Sequence, residues 1–175
     1  RKSFIQNTKK LVKAGRLSED LLSYDLKLLS EKICPERDRL FKYLGIQTLY
    51  DRYFIHIKQR RMETPQTFYM RVAMGLCLNE KNKEEKAIEI YDMMSQFRYS
   101  PSTPTFFNSG TKRSQLSSCY LSTVHDSIDG IFGTIHGQAR LSKYAGGLGV
   151  DWTPVRSSGS YIQGTNGNSS GLVPW

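Results

Sequence analysis

The sequence predicts an α/β protein in which a helical N-terminal region leads into the first strands and helix of an α/β domain. Three observations carry this. Over the first hundred residues, apolar side chains recur at the 3.6-residue spacing of a helix face. Ten of the fourteen glycines then fall between positions 130 and 171. Between these regimes, a strand-like segment, a helix-like segment and a Gly-rich stretch follow one another. That order builds ligand sites at strand ends in α/β layers. The expected division is a helical region over 1–98 and the start of the α/β domain over 99–175.

The elements follow in order. In "LSEDLLSYDLKLLSEKI" (17–33), Ser18 is a candidate N-cap with acids in the first turn, and Leu21, Leu22, Leu26, Leu29 and Ile33 form the apolar face. Pro35 ends that helix or opens the next, "PERDRLFKYLG", for which Gly45 is the expected stop. "IQTLYDRYFI" (46–55) reads as helix or as extended chain. Thr64 and Pro65 mark a helix start, with Phe68, Val72 and Leu76 facing inward and Cys77 as a small core residue. "KEEKAIEIYDMMSQF" (83–97) is amphipathic, with Ile88, Tyr91, Met94 and Phe97 on the buried stripe. "YSPSTPTFFNSGTKRSQ" (99–115) reads as a loop. "QLSSCYLSTV" (115–124) reads as a strand, and "DSIDGIFGTIHGQARLSKYA" (126–145) as a helix capped by Asp126 or Ser127. Residues 146–175 read as turns joined by short strands.

Composition narrows the function classes. No apolar run approaches the roughly 20 residues of a membrane helix, and no secretory signal pattern opens the chain. The start at Arg1, without methionine, suggests a piece of a longer protein. Cys34, Cys77 and Cys119 are far apart and odd in number, which argues against a disulfide scaffold or a zinc site and for a reducing, cytoplasmic setting. His56, His125 and His136 have no metal-ligand spacing, so no metal is expected in the chain. The net charge of +9 lies wholly within residues 1–113, scattered among acids. It suggests an anionic partner, but no basic patch with interleaved aromatics marks a nucleic-acid surface.

Candidate chemistry collects in the second part. "AGGLG" (145–149) permits close ligand approach or an anion-cradling turn, or is simply a helix stop. Arg156 has a phosphate-binding fork, and Lys143 stands near a helix end. Cys119 lies between serines and an apolar run, as either a core thiol or a chemical one.

Together, "STPTFFNSGT", "SQLSSCYLSTVHDSIDGIF", "LSKYAGGLGVDWTPVR" and "GSYIQGTNGNSSGLVP" resemble, in order, the catalytic large chain of ribonucleotide reductase. "LFKYLGIQTLYDRYFIH" and "ETPQTFYMRVAMGLCLNE" extend the resemblance upstream. It implies a ten-stranded α/β barrel, incomplete here, behind a helical region. It also implies an allosteric oxidoreductase of deoxyribonucleotide biosynthesis, supplying DNA replication through thiyl-radical chemistry. Cys119 would be one member of a redox-active cysteine pair. Thr103, Ser118, Gly146 and Gly147 would bind substrate. Asp126, Ser127, Ile128, Lys143 and Arg156 would bind a deoxynucleotide or ATP effector. A metal-radical cofactor is expected in a separate small subunit, with thioredoxin or glutaredoxin as reductant and self-association of the large chain. Neither membrane nor direct nucleic-acid partners are expected.

In the family, the radical cysteine, the acid/base residues and the second redox cysteine lie beyond the "GTNGNSSGLVP" segment. The isolated chain is therefore expected to need a polypeptide carrying that C-terminal part and to be inactive alone. The alternatives are a fragment of the cobalamin-dependent class and a basic helical interaction module without catalysis.

Overall fold

Phe4, Thr8, Leu11 and Val12 are the buried positions of the first helix, α1 (Lys2–Lys13), and their spacing places them on one side of it. The computed structural model describes residues 2–143 and 146–173. The chain forms two compact units, Arg1–Leu116 and Ser117–Trp175.

The helical unit departs from the sequence pattern where side chains compete for the backbone. Instead of one helix over 17–33 there are two pieces. Ser18 caps a 3₁₀ turn (Glu19–Ser23), and Asp25 then caps α2 (Leu26–Lys32) by accepting the Lys27 and Leu28 N–H groups at 3.0 Å. The break keeps Leu21, Leu26, Leu29 and Ile33 in the core but leaves Leu22 exposed. Pro35 opens a 3₁₀ turn (Pro35–Leu40). Gly45 is no stop: it lies inside α3 (Tyr43–Thr48), which runs on through a π-helical turn (Leu49–Tyr53). A small hairpin follows, β1 (His56–Ile57) with β2 (Arg60–Arg61).

Helix α4 (Pro65–Leu76) is the centre of this unit. Thr64 and Thr67 close a capping box with Pro65 at the first turn, as the sequence indicates. Phe68, Met70, Val72, Ala73 and Met74 are all fully buried, so the helix is enclosed on every side rather than amphipathic. Helix α5 (Lys83–Ser95) packs along it, burying Tyr91 and Met94. The Tyr91 hydroxyl donates to Gln66 at 2.8 Å and accepts the Cys34 N–H at 2.9 Å. Phe97 does not join the buried stripe: α5 ends at Ser95, and Phe97 turns into the left-handed region (φ +59°) and is exposed.

The segment read as a loop over 99–115 contains a helix, α6 (Thr103–Asn108), started by Pro104 in its first turn. It is fastened to α4 by a buried ion pair and its satellites. Arg71 Nε lies 2.9 Å from Glu63 Oε1, both side chains under 5% exposed, and the guanidinium also donates to the Phe106 and Ser109 carbonyls. Ser109 Oγ donates to the Val72 carbonyl at 2.7 Å. These bonds place residues 99–116 with the helices, so the units part at Leu116/Ser117 rather than at 98/99.

Burial also sets the unit's response to alkali. Desolvation pushes the Cys77 thiol from its ordinary 9.0 up to about 11, with Glu80 and Glu89 adding to it. Burial likewise raises Tyr69 to about 12, and it raises Tyr24, whose hydroxyl donates to the Met74 carbonyl. These groups keep protons in the folded state that the unfolded chain releases. Their stabilisation is complete below the unfolded pKa values and is lost as pH rises through the folded ones. The urea midpoint of the helical unit is therefore expected to hold steady from pH 7 to 8.5 and to fall from about pH 9 upward. Cys77→Ala should flatten the first part of that decline.

The second unit begins with β3 (Cys119–Thr123), continues through α7 (Ile128–Ser142) and returns in β4 (Gly147–Asp151). The two strands pair in parallel, with Cys119 opposite Gly147 and Thr123 opposite Asp151. A parallel neighbour reached through a helix is the repeating unit of α/β layers and barrels. Beyond it a short hairpin forms from β5 (Tyr161–Ile162) and β6 (Gly167–Asn168). Ala145, expected at the end of α7, and Trp175 lie outside the described residues.

Candidate functional site

The strand β3 carries candidate chemistry at both ends. Cys119 is its first residue and is exposed, not a core thiol. The Ser118 hydroxyl donates to its sulfur at 3.6 Å. Gly147 stands opposite on β4, and its N–H donates to the Ser118 carbonyl at 2.6 Å. A Cβ at position 147 would meet that carbonyl at 3.0 Å and the Cys119 sulfur at 3.8 Å. A Cβ at Gly146 would meet the Tyr120 ring at 2.8 Å, and one at Gly149 would meet Leu121 Cδ2 at 2.7 Å. The glycines therefore let β4 lie close against β3 and keep the space beside the thiol open.

This corrects the anion-cradle reading of "AGGLG". Gly147–Gly149 are strand residues, and the Gly146 N–H is bonded to the Leu141 carbonyl at 3.4 Å. Both candidate N–H donors are engaged, so what Gly146 and Gly147 offer a ligand is room.

Just past the other end of β3, a cavity of about 250 Å³ opens at the N-terminus of α7. Asp126, Ser127, Ile128 and Arg156 all line it, four of the five residues read as effector contacts. Arg156 Nε and Asp126 Oδ2 form an ion pair at 2.8 Å, each about one-third exposed. Ser127 is the N-cap of α7, accepting the Gly130 N–H at 3.0 Å. A Cβ at Gly130 would stand 2.7 Å from the His125 carbonyl, so glycine there permits the tight entry into the helix. The chemistry is that of a polar ligand: a carboxylate for hydroxyls, a guanidinium fork and a helix N-terminus for anionic oxygen, and an Ile128–Ile131 wall for a ring.

The remaining candidates lie elsewhere. Lys143 follows the last residue of α7, about 24 Å of helix from Ser127, and does not line the cavity. Thr103 is the first residue of α6 in the helical unit, its hydroxyl 3.2 Å from that of Tyr53. Sequence reading missed Val155, Ile162, Thr165 and Ser169 in the cavity wall. The β5–β6 hairpin that carries three of them has no periodicity to announce it. At the end of β4, Asp151 is held below the usual carboxylate range by hydrogen bonds from Thr153, side chain and backbone, which keeps it ionised.

The three free thiols differ in environment, and alkylation should separate them. Iodoacetamide at pH 8 is expected to modify Cys119 first. Cys34, half-buried with its thiol donating to Glu36 at 3.2 Å, should follow. Cys77 should react only on unfolding, because it is buried and burial pushes its thiol pKa up. Peptide mapping after timed quenching gives the order.

An exposed thiol and a charged cavity lie at the two ends of one strand in a parallel β–α–β unit, the architecture of an α/β protein. The family is given by comparison. Residues 39–114 match the ribonucleotide reductase all-alpha domain, and residues 117–175 match the ribonucleotide reductase barrel domain. The chain belongs to the ribonucleotide reductase large-subunit family, and the unclosed parallel sheet agrees with the start of that barrel. It is 55% identical over 152 residues to the ribonucleoside-diphosphate reductase subunit alpha of Chlamydia trachomatis, covering 87% of this chain and 14% of that protein. The Helicobacter pylori subunit alpha is 45% identical over 87% of this chain and 19% of its own length. The large subunit from Plasmodium falciparum is 45% identical over 83% of this chain and 18% of its own. The chain thus spans between a seventh and a fifth of these relatives.

Proposed function

We propose that this chain supplies the opening part of the catalytic subunit of a ribonucleoside-diphosphate reductase, contributing one redox thiol and an effector-binding cavity. The observation that carries the reading is the pairing of exposed Cys119 with Gly147 at the start of the family's barrel domain. The reaction replaces the 2′-hydroxyl of a ribonucleotide by hydrogen and releases that oxygen as water. Two thiols supply the two electrons and become a disulfide. In this reading Cys119 is one of them. Ser118 hydrogen-bonds the substrate, and Gly146 and Gly147 leave it space. Radical initiation and the second redox thiol come from the rest of the assembly.

The Asp126–Arg156 cavity serves as the specificity site. Asp126 takes the ribose hydroxyls of a deoxynucleotide or ATP, and Arg156 its phosphates, with Ser127 and Ile128 against the nucleoside. Lys143 joins only if a second copy or a further segment brings it there. The relatives' names, subunit alpha and large subunit of ribonucleoside-diphosphate reductase, support diphosphate substrates and a separate partner subunit. We assign that partner the metal-radical cofactor, and thioredoxin or glutaredoxin the recycling of the disulfide. Three free cysteines suit a reducing cytoplasm. Among the described residues, no helix is long and apolar enough to cross a membrane.

The test is deoxynucleotide formation by the chain mixed with a polypeptide carrying the remaining barrel, a radical-generating subunit, reductant and effector. Turnover is expected from the mixture and none from the chain alone. Asp126→Ala should blunt the response to effector while leaving unstimulated turnover in place. Turnover by the chain alone, or a full effector response in Asp126→Ala, contradicts the proposal.

A further inference from the structure

The excess positive charge of residues 1–113 is not used by the thiol or by the Asp126 cavity, both of which lie in the second unit. Part of it converges inside the helical unit. A cavity of about 500 Å³ lies among the segments at 15–16, 51–56 and 107–113. Its size falls within the roughly 300–1,000 Å³ of small-ligand sites. Arg16, Arg52 and Lys112 line it, and among the described residues none of the three has an ion pair or a side-chain hydrogen bond. The lining holds one carboxylate, Asp51, which already accepts from Gln47.

The opposite character is supplied by rings. Tyr53 and Phe107 stack with centroids 4.7 Å apart and 27° between planes, and both line the cavity. The backbone on two sides of the cavity is held in place. A bridge between Leu17 and Thr111, and the Ser18 N–H donating to the Gly110 carbonyl at 3.0 Å, hold the Arg16 segment beside Lys112. Gly15 takes φ +69°, and its Cβ position lies 4.0 Å from Lys112 Nζ. With Arg113, four basic side chains line one volume, which suits a ligand with several negative charges on adjacent groups. An aromatic wall suits a flat ring on the same ligand.

We propose that this cavity in the helical unit is a binding site for a nucleoside polyphosphate, with Arg16, Arg52 and Lys112 on the phosphates and the Tyr53–Phe107 pair against the base. The site is separate from the Asp126 cavity and does not depend on the reading given to that cavity.

The experiment is calorimetric titration of the whole chain with ATP, in parallel with inorganic tripolyphosphate. The variants are Arg16→Glu/Lys112→Glu and Asp126→Ala. The reversed residues are exposed, and circular dichroism confirms that each variant is folded. An ATP-binding event is expected that Arg16→Glu/Lys112→Glu weakens by roughly tenfold or more and that salt weakens. Asp126→Ala should leave that event unchanged, and tripolyphosphate should bind there more weakly than ATP. Undiminished ATP binding in the double reversal, or no binding at millimolar ATP, overturns the proposal. Equal affinity for tripolyphosphate overturns the assignment of a nucleoside. Loss of a different binding event in Asp126→Ala alone bears only on the effector cavity.

Discussion

Cys119→Ser is expected to reduce multiple-turnover deoxynucleotide formation in the reconstituted enzyme by ~10³-fold or more, the scale seen when one member of a catalytic unit is removed. The reason is electron balance. Reduction at the 2′ carbon consumes two electrons, and a hydroxyl in place of one thiol cannot close the disulfide that delivers them. The substitution is sterically small, and Cys119 is exposed at the strand's first residue, so folding should be unaffected. The Gly147 contact and the Ser118 hydrogen bond tolerate an oxygen at that position. Rates with and without an added dithiol check the result. Unchanged multiple turnover would remove Cys119 from the redox pair.

Arg71→Met is the substitution expected to cost the helical unit most, about 3–5 kcal/mol. It leaves Glu63 buried without its cationic partner and takes the donor away from the Phe106 and Ser109 carbonyls. Glu63 also accepts the Ile55 N–H at 2.7 Å, so its carboxylate holds the end of the π-helical turn as well. The melting temperature should fall by roughly 12–20 °C. Replacing Glu63 and Arg71 together by apolar residues should cost less than Arg71→Met alone, because no uncompensated charge remains. Gly75→Ala tests the same seam sterically. A Cβ there would stand 2.1 Å from the Gly110 nitrogen and 2.3 Å from Ser109 Oγ, so α4 and the 109–110 backbone must separate. That loss, about 3 kcal/mol, outweighs the better helix propensity of alanine, about 1 kcal/mol. Thermal denaturation of the three variants orders them.

Much of this was legible in the residues. Thr64-Pro65 marked the start of α4, Tyr91 and Met94 marked the buried side of α5, and the strand–helix order from 115 to 142 appears as β3 and α7. The misses have local causes. The 17–33 helix splits because Asp25 captures two N–H groups that a continuous helix would give to carbonyls. Gly45 sits within α3, where no side chain is asked of it, so its presence carried no stop. Helix α6 hides behind two prolines and several hydroxyls, and what makes it helical is its anchoring to Arg71, more than thirty residues away in sequence. Four effector candidates converge on one cavity because the turn after β3 and the segment after β4 end on the same side of a parallel pair. Periodicity cannot give that register.

The measurement that bears most directly on the central claim is the redox state of Cys119 after a single turnover. The reconstituted enzyme is reduced, freed of external thiols, given substrate and effector, then unfolded, alkylated and mapped. Cys119 should be lost from the alkylated pool in proportion to deoxynucleotide formed, appear in a disulfide with a cysteine of the complementing polypeptide, and return on reduction. Cys77 and Cys34 should remain fully alkylated. Product formed while Cys119 stays fully alkylatable would contradict the account.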